Sequence, residues 1–314
     1  MGFNTIIGHD TIKSQIVNSI NVGRFSHAHI ITGEDGIGKS LIAKETAKRL
    51  LGKDKEKQYV DIVEFKMLKD KKSIGIDEIK SIIQETTKKP YEGDKKVIIL
   101  YRADKMTEAA QNAFLKTIEE PPKGIFIILL CEKLENILDT IKSRCQVYKL
   151  NRLKEEEMLR FLNNKFQSLS EDEVKAVSAF SDGIPGRSER FIEDKSLMEI
   201  RDTVIDILKS TCEERLDKTL VYTDFLLKYK SEWQEVLTYF LSYIRDTLIY
   251  KETGNKELII NIDKINEIKD IAEMFSFNKL NGIINIIKDT RSKLERNVNT
   301  TLVFDSMLVK IQEV

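Results

Sequence analysis

The stretch that most constrains this chain is Gly33-Glu34-Asp35-Gly36-Ile37-Gly38-Lys39-Ser40, which fits the phosphate-binding pattern G-x-x-x-x-G-K-S/T at every specified position. Its flanks separate it from a chance glycine-rich turn. Ala28-His29-Ile30-Ile31-Thr32 predicts a short buried strand before the loop. Ser40 to Leu51 predicts a helix after it, with Leu41, Ile42, Ala47 and Leu50 on the apolar side. Strand, loop and helix together make an anion site. Gly33 opens the loop, Gly36 and Gly38 let backbone N–H groups turn inward, and the helix start adds the positive end of its dipole. In such a loop Lys39 reaches the β and γ phosphates and the Ser40 hydroxyl takes Mg²⁺. The pattern predicts a nucleotide site.

The flanking sequence places that site on a sheet. Val60 to Phe65 alternates as a strand, and Val97 to Tyr101 is a continuous apolar run suited to the middle of a parallel sheet. Ile125 to Cys131 and Gln146 to Leu150 add two more strands. Helices are expected over Thr11 to Val22, from Ile76 to the stop at Lys89-Pro90, from Thr107 to the stop at Pro121-Pro122, and over Ile137 to Lys142. Strands alternating with helices predict a five-stranded parallel sheet covered on both faces, with the phosphate loop at its carboxyl edge. After Leu150 the strand signals stop. Lys154 to Leu169 and Ser170 to Phe180 predict two short helices, Ser181 to Arg187 a turn opening a third, and Ser196 onward a helical tail. That tail has heptad-like spacing at Leu226, Trp233, Leu237, Phe240, Tyr243 and Ile244.

Charge narrows the partners. Lys+Arg and Asp+Glu each number 51 in 314 residues, so no basic excess exists to grip nucleic acid alone, and any DNA contact is local or shared with other subunits. Neither a signal peptide nor a run of apolar residues long enough for a membrane is read, and the cytoplasm is the expected compartment. Cys131, Cys145 and Cys212 are odd in number and widely spaced, which predicts small buried hydrophobes rather than metal ligands.

Gly23 to Ala28, Asn112 to Pro122, Ser143-Arg144-Cys145 and the tail from Leu294 to Leu308, spread over nearly the whole chain, together resemble the bacterial DNA polymerase III clamp-loader subunits of the AAA+ class. Gly23-Arg24-Phe25-Ser26-His27-Ala28 is similar to the family's G-R-x-x-H-A lead-in to the first strand. Asn112-Ala113-Phe114-Leu115-Lys116-Thr117-Ile118-Glu119-Glu120-Pro121-Pro122 is close to its N-A-L-L-K-T-L-E-E-P-P helix, and Ser143-Arg144-Cys145 is its S-R-C motif. The stretch from Leu294 through Asn297-Val298-Asn299 to Met307-Leu308 resembles the last two helices of the family's oligomer-forming collar. The resemblance implies an α/β AAA+ domain over 1–150, a small helical lid over 151–198 and an all-α collar over 199–314. It also implies a hetero-oligomer with the motor (gamma/tau) and delta subunits that places a sliding clamp on primed DNA for the replicative polymerase. The implied ligands are ATP and Mg²⁺.

The family's ATP-hydrolysing subunits end the third strand in Asp-Glu, the Asp helping to hold Mg²⁺ and the Glu polarising the attacking water. Here those places fall on Tyr101 and Arg102, with Asp104 two residues beyond the second. Tyr101 is a poor partner for Mg²⁺, and Arg102 stays protonated and cannot act as a general base. Asp104 approaches the metal only if the strand end shifts by a turn. At the end of the fourth strand, where the family usually has a polar residue, stands Cys131-Glu132. This pattern resembles the delta-prime branch, the non-hydrolysing stator, and implies binding of ATP without turnover. The alternative is the motor subunit of the same loader. A phosphate-loop kinase for a small substrate is disfavoured, because roughly half of the chain reads as a strand-free helical tail.

The family's four-cysteine zinc module has no counterpart, since residues 50–75 contain no cysteine, and no zinc is expected. In the family the arginine of S-R-C reaches the γ-phosphate of a neighbour's ATP, which implies a trans-acting role for Arg144. Without the motif an arginine after a short helix would be an ordinary dipole partner. Lys116 is either a coupler of DNA to the nucleotide sites or a solvated helix residue. Arg24 and His27 either flank the adenine or, for His27, serve packing. Arg187 lies one place from the family's lid arginine and receives no role.

Overall fold

The computed structural model describes residues 2–53, 55, 57–68, 71–211, 216–296 and 298–314, so the expectation for Cys212 lies outside the described residues. They divide into two compact units: the chain up to Phe161 with Gly183–Gly186, and Leu162–Asp182 with Arg187–Val314. The residues expected as a lid, 151–198, are shared between the two.

In the first unit the elements run α1 (Asp10–Asn21), β1 (Ala28–Thr32), α2 (Lys39–Leu50), β2 (Ile62–Phe65), α3 (Ile76–Thr87), β3 (Lys96–Leu100), α4 (Glu108–Glu119), β4 (Ile125–Cys131), α5 (Asp139–Lys142), β5 (Gln146–Lys149) and the start of α6 (Glu155–Lys165). Among the described residues five strands form one parallel sheet in the order β2-β3-β4-β1-β5. Alternate residues of each strand serve opposite cores. Ala28, Ile30, Ile98, Leu100, Ile127 and Leu129 meet Ile79, Phe114, Ile118 and Ile141 on one face. Ile31, Val97, Ile99, Ile128 and Leu130 meet Ile16, Ile42, Ala47 and Leu50 on the other. Burial on both sides explains why these strands read as unbroken apolar runs.

Two local expectations are corrected. Leu41 is 56% exposed, because the buried stripe of α2 is Ile42, Ala43, Thr46, Ala47 and Leu50. The second strand starts at Ile62, and Val60 is exposed. Asp61 takes the inward place there. Its two carboxylate oxygens accept from the backbone N–H groups of Tyr91 (2.6 Å) and Glu92 (2.7 Å), fixing the loop before β3.

The second unit is helical among its described residues. It comprises the rest of α6, α7 (Glu171–Ser181), α8 from Arg187 (Pro185–Glu193), α9 (Lys195–Ser210), α10 (Leu216–Lys228), α11 (Trp233–Thr253), α12 (Ile265–Met274), α13 (Phe277–Glu295) and α14 (Thr300–Glu313). Tyr239, Phe240, Tyr243, Ile283, Ile287 and Phe304 are fully buried. The Arg201 guanidinium is buried too, donating to both oxygens of Asp263 at 2.7 Å and to Asn261 Oδ1 at 3.1 Å. A buried arginine needs such acceptors to be stable; here both terminal nitrogens have them, while the buried Nε–H has none among the described residues.

His29 gives the first unit a pH dependence. It is stacked between Phe25 and Tyr148, its Nε2–H donates to the Ser26 carbonyl at 2.7 Å, and burial pushes its pKa down to about 4. The unfolded chain, with a histidine near its ordinary 6.5, binds the proton first. The stabilisation is therefore complete above pH 6.5 and lost as pH falls toward 4. In urea unfolding, wild type should lose roughly 2–3 kcal/mol more than His29→Gln between neutral pH and the lower end of that window. Equal losses would show that His29 does not set this dependence.

Candidate functional site

The phosphate loop hangs from the sheet by one hydrogen bond, Gly33 N–H to the Cys131 carbonyl at 3.2 Å, where β1 and β4 end side by side. Gly36 and Gly38 take φ of +79° and +105°, conformations open to glycine and strained for other residues. At Gly38 an added Cβ would meet nothing within 4 Å, so its backbone angle, not crowding, requires the glycine. Helix α2 starts at the next residue with no side-chain cap. Its first N–H groups therefore face the loop without intrahelical partners. Lys39 lies back over the loop, donating to the carbonyls of Gly33 and Glu34 at 2.8 Å each. Burial lowers its pKa, opposed by the carboxylates of Glu132, Asp35 and Asp104. An ammonium, helix-start amides and the Ser40 hydroxyl form a donor set that fits a phosphate with a hard cation.

Neighbouring turns brace this loop. Gly186 N–H donates to the Gly36 carbonyl at 2.9 Å, and a Cβ on Gly186 would come within 2.6 Å of Gly36 Cα. His9 Nε2–H donates to the Ile37 carbonyl at 3.2 Å. Arg152 pairs with Glu34 through Nε–Oε1 (2.6 Å) and Nη2–Oε2 (3.0 Å).

The residues just after β3 are held by contacts of their own. The Tyr101 hydroxyl donates to Glu64 Oε2 at 2.8 Å, and burial with this bond holds the phenol far above its ordinary pKa. Arg102 is exposed and left-handed, with φ of +53°. That residue starts a single 3-10 turn, Ala103–Lys105, which carries Asp104 inward to 6% exposure. An Asp104 oxygen accepts from the Glu132 N–H at 3.2 Å, at the end of β4.

Arg144 lies beside the C-terminal end of α4, at Glu119. Gln111 fixes the segment leading to it: its amide donates to the carbonyls of Met106 (3.3 Å) and Asn136 (2.9 Å), and its oxygen accepts from Leu138 N–H (2.8 Å). Helix α5 then ends, and the Arg144 guanidinium donates to the Thr140 carbonyl at 3.0 Å and to Glu119 Oε1 at 3.1 Å. Both side chains of the ion pair are exposed. Such a surface pair contributes about 0–1 kcal/mol and is readily exchanged for a stronger acceptor.

Two family models match the chain. The one described as "DNA polymerase III, delta subunit" covers residues 8–154, and "DNA polymerase III, delta subunit, C terminal" covers residues 195–313. The chain belongs to the DNA polymerase III clamp-loader subunits, of the AAA+ class. Among relatives of this clamp-loader subunit, DNA polymerase III subunit gamma of Buchnera aphidicola (subsp. Schizaphis graminum) is 26% identical over 98% of this chain and 94% of its own length. Subunit delta' of Bacillus subtilis is 24% identical over 96% of this chain and 95% of its own. The structure of a gamma subunit-related protein from Thermotoga maritima shares the fold, with a TM-score of 0.50 and 16% identity over 95% of this chain and 99% of that one.

The remaining candidate residues of this clamp-loader subunit fall as follows. His27 Nε2–H donates to the Ile118 carbonyl at 2.9 Å, tying the lead-in of β1 to the end of α4, while Arg24 and Lys116 are exposed. Arg187 is exposed where the chain re-enters the second unit. Burial pushes the Cys131 thiol up to about 11 and Cys145 up to about 12, so neither is a ready nucleophile. Among the described residues no group of three His, Cys, Asp or Glu side chains could hold a metal, and no helix is long and apolar enough to cross a membrane. His9, Gln111, Arg152 and Gly186 were not legible as site residues, because each acts through a contact distant in sequence.

Proposed function

We propose that this clamp-loader subunit is the stator of its assembly, of the delta-prime type. It binds Mg-ATP without hydrolysing it and lends Arg144 to the ATP site of a neighbouring subunit. The reading is carried by one observation: beside an intact phosphate loop, β3 is followed by Tyr101, whose hydroxyl is committed to Glu64, and by the exposed Arg102. A neutral phenol and a permanent guanidinium leave the attacking water with no group there to orient it or take its proton. The loop amides and Lys39 hold the phosphates in this reading, and Ser40 faces the metal. Mg²⁺, when bound, neutralises phosphate charge. The partners are the motor (gamma/tau) and delta subunits, the sliding clamp and primed DNA, in the cytoplasm. The motor reading draws on relatives named gamma but requires a base that the place of Arg102 does not offer.

Calorimetric titration of the purified chain with Mg-ATP should give saturable binding, and Lys39→Ala should abolish it. The substitution removes the ammonium while leaving the glycine turns in place. Unchanged binding in Lys39→Ala would contradict the assignment of the phosphate loop. Stable co-purification with the motor and delta subunits tests the assembly half of the reading.

A further inference from the structure

The strand that should supply a metal-facing acid is followed by a tyrosine, yet a carboxylate stands at the same edge of the sheet. A chain of three hydrogen bonds connects it to the phosphate loop. Asp104 accepts from Glu132 N–H at 3.2 Å; the preceding residue, Cys131, accepts from Gly33 N–H at 3.2 Å; and Gly33 accepts from Lys39 Nζ at 2.8 Å. The left-handed Arg102 and the single turn after it deliver Asp104 to this position. Left-handed backbone at a non-glycine residue is strained and persists where its surroundings hold it. Tyr101 meanwhile is turned toward Glu64 on β2.

We propose that Asp104 takes over the place of the missing strand-end acid and is the positioning carboxylate toward the metal of bound Mg-nucleotide. The inference rests on the nucleotide-binding reading above and adds to it a reason for metal dependence. A fixed carboxylate at 6% exposure repels nucleotide phosphates when no cation lies between, and favours them when Mg²⁺ does. Asp104 is thus a sensor of the metal rather than a base: it decides whether nucleotide is held, not whether it is cut. Glu132 and Asp35 also lie within the field of Lys39, but both are exposed, where solvent screens them.

The test is calorimetry of the full chain with ATP, in MgCl₂ and in EDTA. Wild type should bind about tenfold or more tightly in MgCl₂ than in EDTA, a coupling of ordinary size between two ligands. Asp104→Asn keeps an oxygen for Glu132 N–H and removes the charge. It should bring the two affinities together, mainly by strengthening binding in EDTA, while Glu132→Gln should keep the wild-type ratio. An unchanged ratio in Asp104→Asn overturns the proposal, as does its loss in Glu132→Gln instead. Wild type alone can overturn it, by binding equally in both solutions. If wild type binds no ATP in either, the nucleotide-binding reading fails as well, whereas an unchanged ratio on real binding defeats only the role of Asp104.

Discussion

A loader carrying Arg144→Ala in this subunit alone is expected to load clamps much more slowly than wild type while its total ATPase falls only in part. Phosphoryl transfer places negative charge on the equatorial oxygens of the γ-phosphate, and a guanidinium supplied from another subunit stabilises it. Such a residue contributes ~10³–10⁵ in rate at the site it serves. Only the one neighbouring site would lose it, so the remaining sites keep turning over. In this chain Arg144 is held by nothing costly to leave, an exposed Glu119 carboxylate and one carbonyl. The substitution should therefore spare the fold, assembly and nucleotide binding by this subunit. Arg144→Lys should recover little, because an ammonium does not reproduce the planar fork. ATPase and clamp loading at saturating ATP and primed DNA are the measurements. Unchanged rates in both would make Arg144 an ordinary helix-end charge.

Removing everything after Leu150 should abolish entry into the loader while leaving the sheet folded. All five strands of the described sheet lie before the cut. The fragment loses Leu153, which packs on Gly8, and the Ile184–Gly186 turn braced against Gly36. It should therefore be less stable than the intact first unit by a few kcal/mol, the usual cost of one or two lost core contacts. The expected loss of assembly rests on the tail. Leu294 and Met307 are satisfied within the second unit, yet Leu302 is 65% exposed and Val309 43% exposed, one heptad apart on α14. Asp305 and Ser306 lie between them on the same face, and a partner helix packed there would take both apolar side chains out of water. Pull-down of the fragment with the motor and delta subunits measures the effect, and retention at full affinity would remove the tail from the assembly account.

How much of this was legible follows from how far apart the interacting residues lie. The phosphate loop was read from eight consecutive residues, and the sheet from apolar runs, because burial on both faces writes itself directly into local sequence. Leu41 shows the limit of the same logic: its apolar character fits the helical stripe, but its position on α2 turns it outward. The start of the second strand was misjudged because a buried aspartate, satisfied by two amides some 30 residues away, imitates an outward polar residue. Asp104 was visible as an acid too late for the strand end. Its inward turn depends on the left-handed Arg102, which sequence gives no reason to expect. Arg144 was found only through the S-R-C resemblance, since its local spacing matches any helix-end cation.

The central claim is that this subunit holds nucleotide and does not hydrolyse it. Phosphate release by the purified chain at saturating Mg-ATP, with binding confirmed on the same preparation and then repeated in the reconstituted loader, tests it most directly. The account predicts saturable binding with negligible release from the chain alone, and full loader turnover that does not depend on Lys39 of this subunit as a hydrolytic residue. Steady release from the pure chain near ~1 s⁻¹, the lower end of ordinary enzyme turnover, would contradict it and make the subunit a motor.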